Sequence, residues 1–326
     1  MLLTSNTMPS PEIKLLELYT PLGGGVFLGW LLGRILPKNF PTYLGHFLFW
    51  IGAPIAIVAF LRRTNLSGPI WIAPLAAWAA ILLGAGLAWA VIRLNDKKDP
   101  ACVSPSATSS GSQPNQGSFL LASMVGNTGY LGYPVTLALV GQEYFGWALF
   151  YDLLGSMLGT YGLGVALAAR FGMGASSHKQ LLAAILKTPG LWALGLGLVL
   201  RPISLPDWLD FGLQKFAWTV ISLSLVLIGM RLSQLSSWRG LPQASICLAI
   251  KMLLVPLVLG WGLRGLGLTG PPHLLIVLQM AMPPAFATLI IAEAYNLDRD
   301  LAVTAIALGT GGLFLTLPLW LWLFGV

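Results

Sequence analysis

Apolar runs long enough to cross a bilayer recur from one end of this chain to the other, and that recurrence leaves few folds open. A hydrocarbon core about 30 Å thick takes about 20 helical residues. Backbone in lipid must satisfy its own hydrogen bonds, so such runs read as helices. Spans are predicted at 14–35, 43–61, 70–93, 118–140, 145–169, 180–200, 208–231, 242–263, 272–295 and 300–324. With 56% of residues hydrophobic and 9% charged, the chain lies outside the usual balance of soluble domains. We expect an all-α integral membrane protein with no soluble domain. Its first residues, "MLLTSNTMPSPEIKLLELYT", lack a charged start, short apolar core and small-residue cleavage site, so the first apolar run is expected to stay in the mature protein.

Lys and Arg set the expected orientation, because short loops rich in them stay on the cytoplasmic side. Loops after odd-numbered spans hold Arg34, Lys38, Arg93, Lys97, Lys98, Arg170, Lys179, Arg231, Arg239 and Arg299. The other side holds Lys14, Arg62, Arg63, Arg201, Lys215 and Arg264, with Lys187 and Lys251 inside spans. The bias predicts a cytoplasmic-membrane protein with both termini outside. Membrane-flanking cations account for the net charge of +7 without a nucleic-acid partner. Between spans three and four, the Ser-, Pro- and Gly-rich interval 95–118 reads as a flexible cytoplasmic loop.

Enzyme chemistry finds little support. His46, His178 and His273 are far apart, and HExxH, CxxC and phosphate-cradling glycine motifs are missing. Cys102 and Cys247 suggest no disulfide framework. No metal site, cofactor or catalytic group is expected.

The informative residues are breakers inside apolar runs. "GNTGYLGYP", Gly126 to Pro134, puts three glycines and a proline into span four. Pro134 has no N–H and frees the carbonyl of Tyr130, while Asn127 and Thr128 bring polar groups to the weakened turn. By itself this reads equally as a packing kink lined by small residues. A second break stands in span nine, where Pro283 and Pro284 in "LQMAMPPAFATL" free the carbonyls of Gln279 and Met280. Pro134 and Pro284 are 150 positions apart, close to half the chain. Interrupted spans at matching positions point to a transporter of two inverted repeats, with the binding site where the broken helices cross. Five spans per repeat gives 1–170 as the first repeat and 171–326 as the inverted second. Half-helix N-termini at such a crossing suit an anion, and C-terminal ends and freed carbonyls suit a cation.

"GNTGYLGYPVTLAL", "MPPAFATLIIAEAYNLD", the final "TLPLWLWL", "KTPGLWALGLGLVL" and "LVLIGMRL" together resemble the auxin efflux carrier family, as a bacterial-type member. The resemblance covers nearly all ten spans. It implies ten transmembrane helices in two inverted five-helix repeats with crossovers in spans four and nine, a scaffold of spans one, two, six and seven, and elevator-like alternating access by the rest. It also implies a homodimer through the scaffold. The family's crossover motif falls on Asn127, Thr128, Gly129 and Pro134, and its second on Met282, Pro283 and Pro284, beside Gln279. Pro54 keeps the breaker of span two, whereas Ser222 stands where relatives commonly have proline in span seven. The acidic and basic pair of plant auxin carriers has no match in "FWIGAPIAIVAF". The implied activity is secondary transport of small organic anions, malate-like or auxin-like carboxylates. The alternatives are a sodium-coupled symporter of the bile-acid carrier type and a membrane-embedded sensor or enzyme.

Charges within spans carry two readings each. Asp152 either binds a coupling proton or sodium ion, or is an acid hydrogen-bonded near the outer interface. Lys251 is expected to snorkel to the cytoplasmic interface or pair with Glu293, with a direct role toward an anion as the other reading. The 13 tryptophans are expected mostly at the interfaces or facing lipid.

Overall fold

A computed structural model describes residues 11–98, 112–172, 188–235 and 239–325. Cys102, His178 and most of the Ser-rich loop fall outside them. Among the described residues the regular structure is helical: α1 (Pro11–Ile35), α2 (Phe40–Arg63), α3 (Ile72–Lys98), α4 (Gln113–Met124), α5 (Gly132–Leu139), α6 (Gln142–Phe171), α7 (Pro189–Leu200), α8 (Asp207–Ser233), α9 (Leu241–Gly265), α10 (Gly270–Met280), α11 (Phe286–Ala294) and α12 (Arg299–Phe324). Six of these, α2, α3, α6, α8, α9 and α12, are long and apolar enough to cross a membrane. Helix lies within every predicted span. Two spans differ from the rest, because α4 and α5, and likewise α10 and α11, are separated by non-helical backbone at the breakers.

The loop between spans three and four is shorter than expected. Helix α4 starts at Gln113, not after Ser118, because the Ser112 side chain caps it by accepting from the Asn115 N–H and Pro114 fits its first turn. Asn115 then donates to Gln243 at 3.1 Å and to Asp298 at 2.9 Å, which ties the start of α4 to α9 and to the cap of α12. Ser222 leaves α8 unbroken and bonds back to the Trp218 carbonyl at 3.1 Å. Pro54 in α2 comes just after a π-helical turn, Leu48–Gly52.

Helices α1, α2, α7 and α8 pack on one another, and α3 to α6 pack with α9 to α12. The α1–α8 contact is backbone to backbone. A side chain at Gly29 would strike the Val226 carbonyl, and one at Gly229 the Val26 carbonyl. Small residues that admit close helix approach are how such surfaces associate in lipid. Trp50, Trp71, Trp192, Trp208, Trp261 and Trp322 are exposed, as expected for side chains facing lipid or its interface, whereas Trp147 and Trp320 are buried.

Candidate functional site

The two breaks meet. Gly126 and Pro284 form an antiparallel bridge, in which the Asn127 N–H donates to the Pro283 carbonyl at 2.7 Å and the Ala285 N–H donates to the Val125 carbonyl at 3.3 Å. Each broken helix therefore satisfies backbone groups that the other cannot. Of the carbonyls freed by proline, that of Gln279 accepts from the Met282 N–H at 3.4 Å and the other two find side chains. Ser224 of α8 lies 3.2 Å from the Tyr130 carbonyl, and the Lys251 ammonium donates to the Met280 carbonyl at 2.7 Å.

A cavity of about 800 Å³ opens on this crossing and extends along α2 from Thr42 to Phe60, about 27 Å of helix. Arg299 and the end of α11 at Glu293, both exposed and paired at 2.7 Å, line one end. The other end closes on the buried ring cluster of Phe60, Phe145 and Tyr133, with centroids 4.9 and 5.0 Å apart. Behind those rings Thr64 donates to the Gln142 carbonyl at 2.8 Å and accepts from the Gly146 N–H at 3.0 Å. Gln142 reaches Gln214 at 2.9 Å, so hydrogen bonds between the two helix groups back the closed end.

Of the residues singled out in the sequence, Asn127, Thr128, Gly129 and Asp152 line this cavity, and Pro134, Gln279, Met282, Pro283 and Pro284 do not. Asn127 accepts from the Tyr130 N–H at 3.2 Å, which organises the turn into α5 and leaves its amide nitrogen to the cavity. Asp152 lies against the first break. Thr128 donates to one carboxylate oxygen and Tyr133 donates to the other at 2.7 Å. It sits in a π-helical stretch of α6, Tyr151–Met157, and such wide turns recur where a side chain serves a site. From the second break, the cavity wall takes mainly the start of α11, with Ala285, Phe286 and Ala287.

Lys251 overturns its sequence reading. It is buried, 3% exposed, and points at the second break instead of the interface. Glu293 is taken by Arg299. Depth in a helix does not reveal which neighbour's carbonyl lies within reach, and sequence alone therefore favours snorkelling.

The residue that sequence reasoning missed is Arg231, counted there only as a flanking charge. It lines the cavity near the end of α8, with its guanidinium 5.1 Å from the Phe286 ring. A side chain at Gly45 would come within 2.8 Å of its Nη2. Among the described residues no carboxylate pairs with it. A planar fork of donors facing a cavity suits a carboxylate.

A family profile described as a membrane transport protein matches residues 173–321. The chain is 28% identical over 212 residues to an uncharacterized transporter of Methanocaldococcus jannaschii, covering 64% of this chain and 68% of that one. It is 28% identical over 142 residues to a probable auxin efflux carrier component of Oryza sativa subsp. japonica, covering 41% of this chain and 33% of that one. The chain is thus similar to archaeal transporters and to a plant auxin efflux carrier. The profile and these relatives are all described as transport proteins. An uncharacterized transporter of Methanothermobacter thermautotrophicus is 27% identical over 201 residues, covering 61% of this chain and 65% of that one.

Proposed function

We propose that this transporter moves small organic anions, carboxylates of the malate-like or indole-acid kind, across the cytoplasmic membrane. The observation that carries this reading is one cavity faced by the start of α11, by Asn127 and by Arg231. Helix N-termini present unpaired N–H groups and partial positive charge, and a guanidinium adds a full one. Asp152, held by Thr128 and Tyr133 beside that site, is the candidate for a coupling proton or sodium ion.

Packing of α1, α2, α7 and α8 mainly on one another, with fewer contacts to the other helices, supports a scaffold and a moving part, hence elevator-type alternating access between two inverted five-helix repeats. The open end of the cavity carries Arg231 and Arg299, which the charge bias puts on the cytoplasmic side. On that orientation the cavity opens to the cytoplasm.

Labelled malate, malonate and indole-3-acetate fluxes in proteoliposomes test the reading. A saturable flux of one acid, weakened in Asn127→Ala, is expected. Flux of neutral analogues with none for any acid would remove the anion assignment.

A further inference from the structure

Lys251 is unexplained by an anion site that it does not line. Its burial in mid-span is expensive, and an intramembrane charge without a carboxylate partner calls for a function. The ammonium carries three donors and no acceptor, and its bond is to the carbonyl of Met280, the last residue of α10. That carbonyl is free because Pro284 has no N–H. The C-terminal end of α4 arrives at the same point. A Cβ on Gly126, two residues beyond Met124, would lie 2.9 Å from Lys251 Cε, 3.1 Å from Nζ and 3.2 Å from the Met282 carbonyl. Two half-helix C-termini, each with partial negative charge, therefore converge with freed carbonyls in the middle of the membrane protein. In transporters with broken helices this combination binds a cation.

We propose that Lys251 is a tethered cation: its ammonium fills the place at the ends of α4 and α10 that a dissociable ion would otherwise take, so the transporter needs no sodium ion at this crossing. Glycine at position 126 leaves the room the ammonium requires. The π-helical stretch Ala249–Leu254 shifts the register of α9 at this residue. Asp152 is on the other face of the first break, where Thr128 and Tyr133 hold it, and remains a separate candidate for ion coupling. The inference concerns the crossing itself and does not depend on carboxylates being the substrate.

Melting temperature of the purified protein, with sodium chloride exchanged for choline chloride, needs no substrate and so stands apart from the flux test. The exchange is made on Asp152→Asn, which removes the separate candidate for a coupling ion, and with Lys251 present this protein is expected to melt at the same temperature in both salts. Lys251→Ala is expected to melt lower and to recover saturably with sodium or methylammonium, but not with choline. Lys251→Met, which keeps the volume without the charge, is expected to melt lower with no recovery. Saturable stabilisation of Asp152→Asn by sodium while Lys251 is present would overturn the proposal, as would undiminished stability on adding Lys251→Met or a folded Lys251→Ala that neither cation restores. Should Lys251→Ala not fold, the salt exchange with Lys251 present and Lys251→Met decide.

Discussion

The first break is a place of side chains and the second a place of backbone. Around Gly126 to Tyr130, Asn127 and Thr128 turn polar groups toward a cavity, and Asp152 reaches in from α6 to meet Thr128. Around Met280 to Pro284, the residues Met280, Ala281 and Met282 are fully buried and apolar, and the polar traffic runs through carbonyls to Asn127 and Lys251. Two interruptions that look equivalent in the sequence thus divide the work. One offers groups to a solute, and the other gives the first break a rigid partner and takes up the positive charge of the crossing.

Asp152→Ala should produce the largest effect, because it strands two donors, Thr128 and Tyr133, in a closely packed place. We expect a loss of about 2–5 kcal/mol in stability and loss of flux. Equilibrium unfolding that differs little from wild type would mean that the first break does not depend on its side chains. Met282→Ala comes next. Its side chain is buried against the second break and does not line the cavity, so truncation should cost about 2–4 kcal/mol in stability with substrate affinity unchanged. Asn127→Ala is the converse: a weakening of substrate affinity of about tenfold, or 1.4 kcal/mol, with a stability loss of about 1 kcal/mol from the unpaired Tyr130 N–H, smaller than that of Met282→Ala. Measuring affinity and melting for this pair sharpens the division, and a matched loss of affinity in both would erase it.

Much of this was legible because membrane sequence is monotonous and departures from it stand out. Glycine, asparagine and proline in apolar runs marked both breaks, and the freed carbonyls of Tyr130 and Met280 are a consequence of proline chemistry alone. What accepts or donates there is not. Ser224 and Lys251 reach those carbonyls from helices remote in sequence, and a helical position gives depth without naming the neighbour. Arg231 was hidden for the same reason, since a cation at the end of a span reads as a flanking charge until Phe286 and the cavity appear beside it. The start of α4 was mislaid because Gln113 to Ser118 is polar. Its polar side chains bond to Gln243 and Asp298, and Gly117 lies against the apolar Leu297 and Phe171.

Gln279→Met is the smallest change and the one best placed to break the comparison. Gln279 is fully buried at the end of α10, away from the cavity, and neither its amide oxygen nor its nitrogen has a hydrogen-bond partner among the described residues. It packs against Gly132, where any side chain would run into the amide. A buried polar group without partners costs about 1–3 kcal/mol, and an apolar replacement of similar shape removes that cost. If the second break works only through backbone, Gln279→Met should melt slightly higher than wild type, by the equivalent of about 1 kcal/mol, with flux retained. A lower melting temperature together with lost flux would mean that the amide holds a water, an ion or part of the solute. The second break would then offer a side chain of its own, and the two interruptions would be chemical equals.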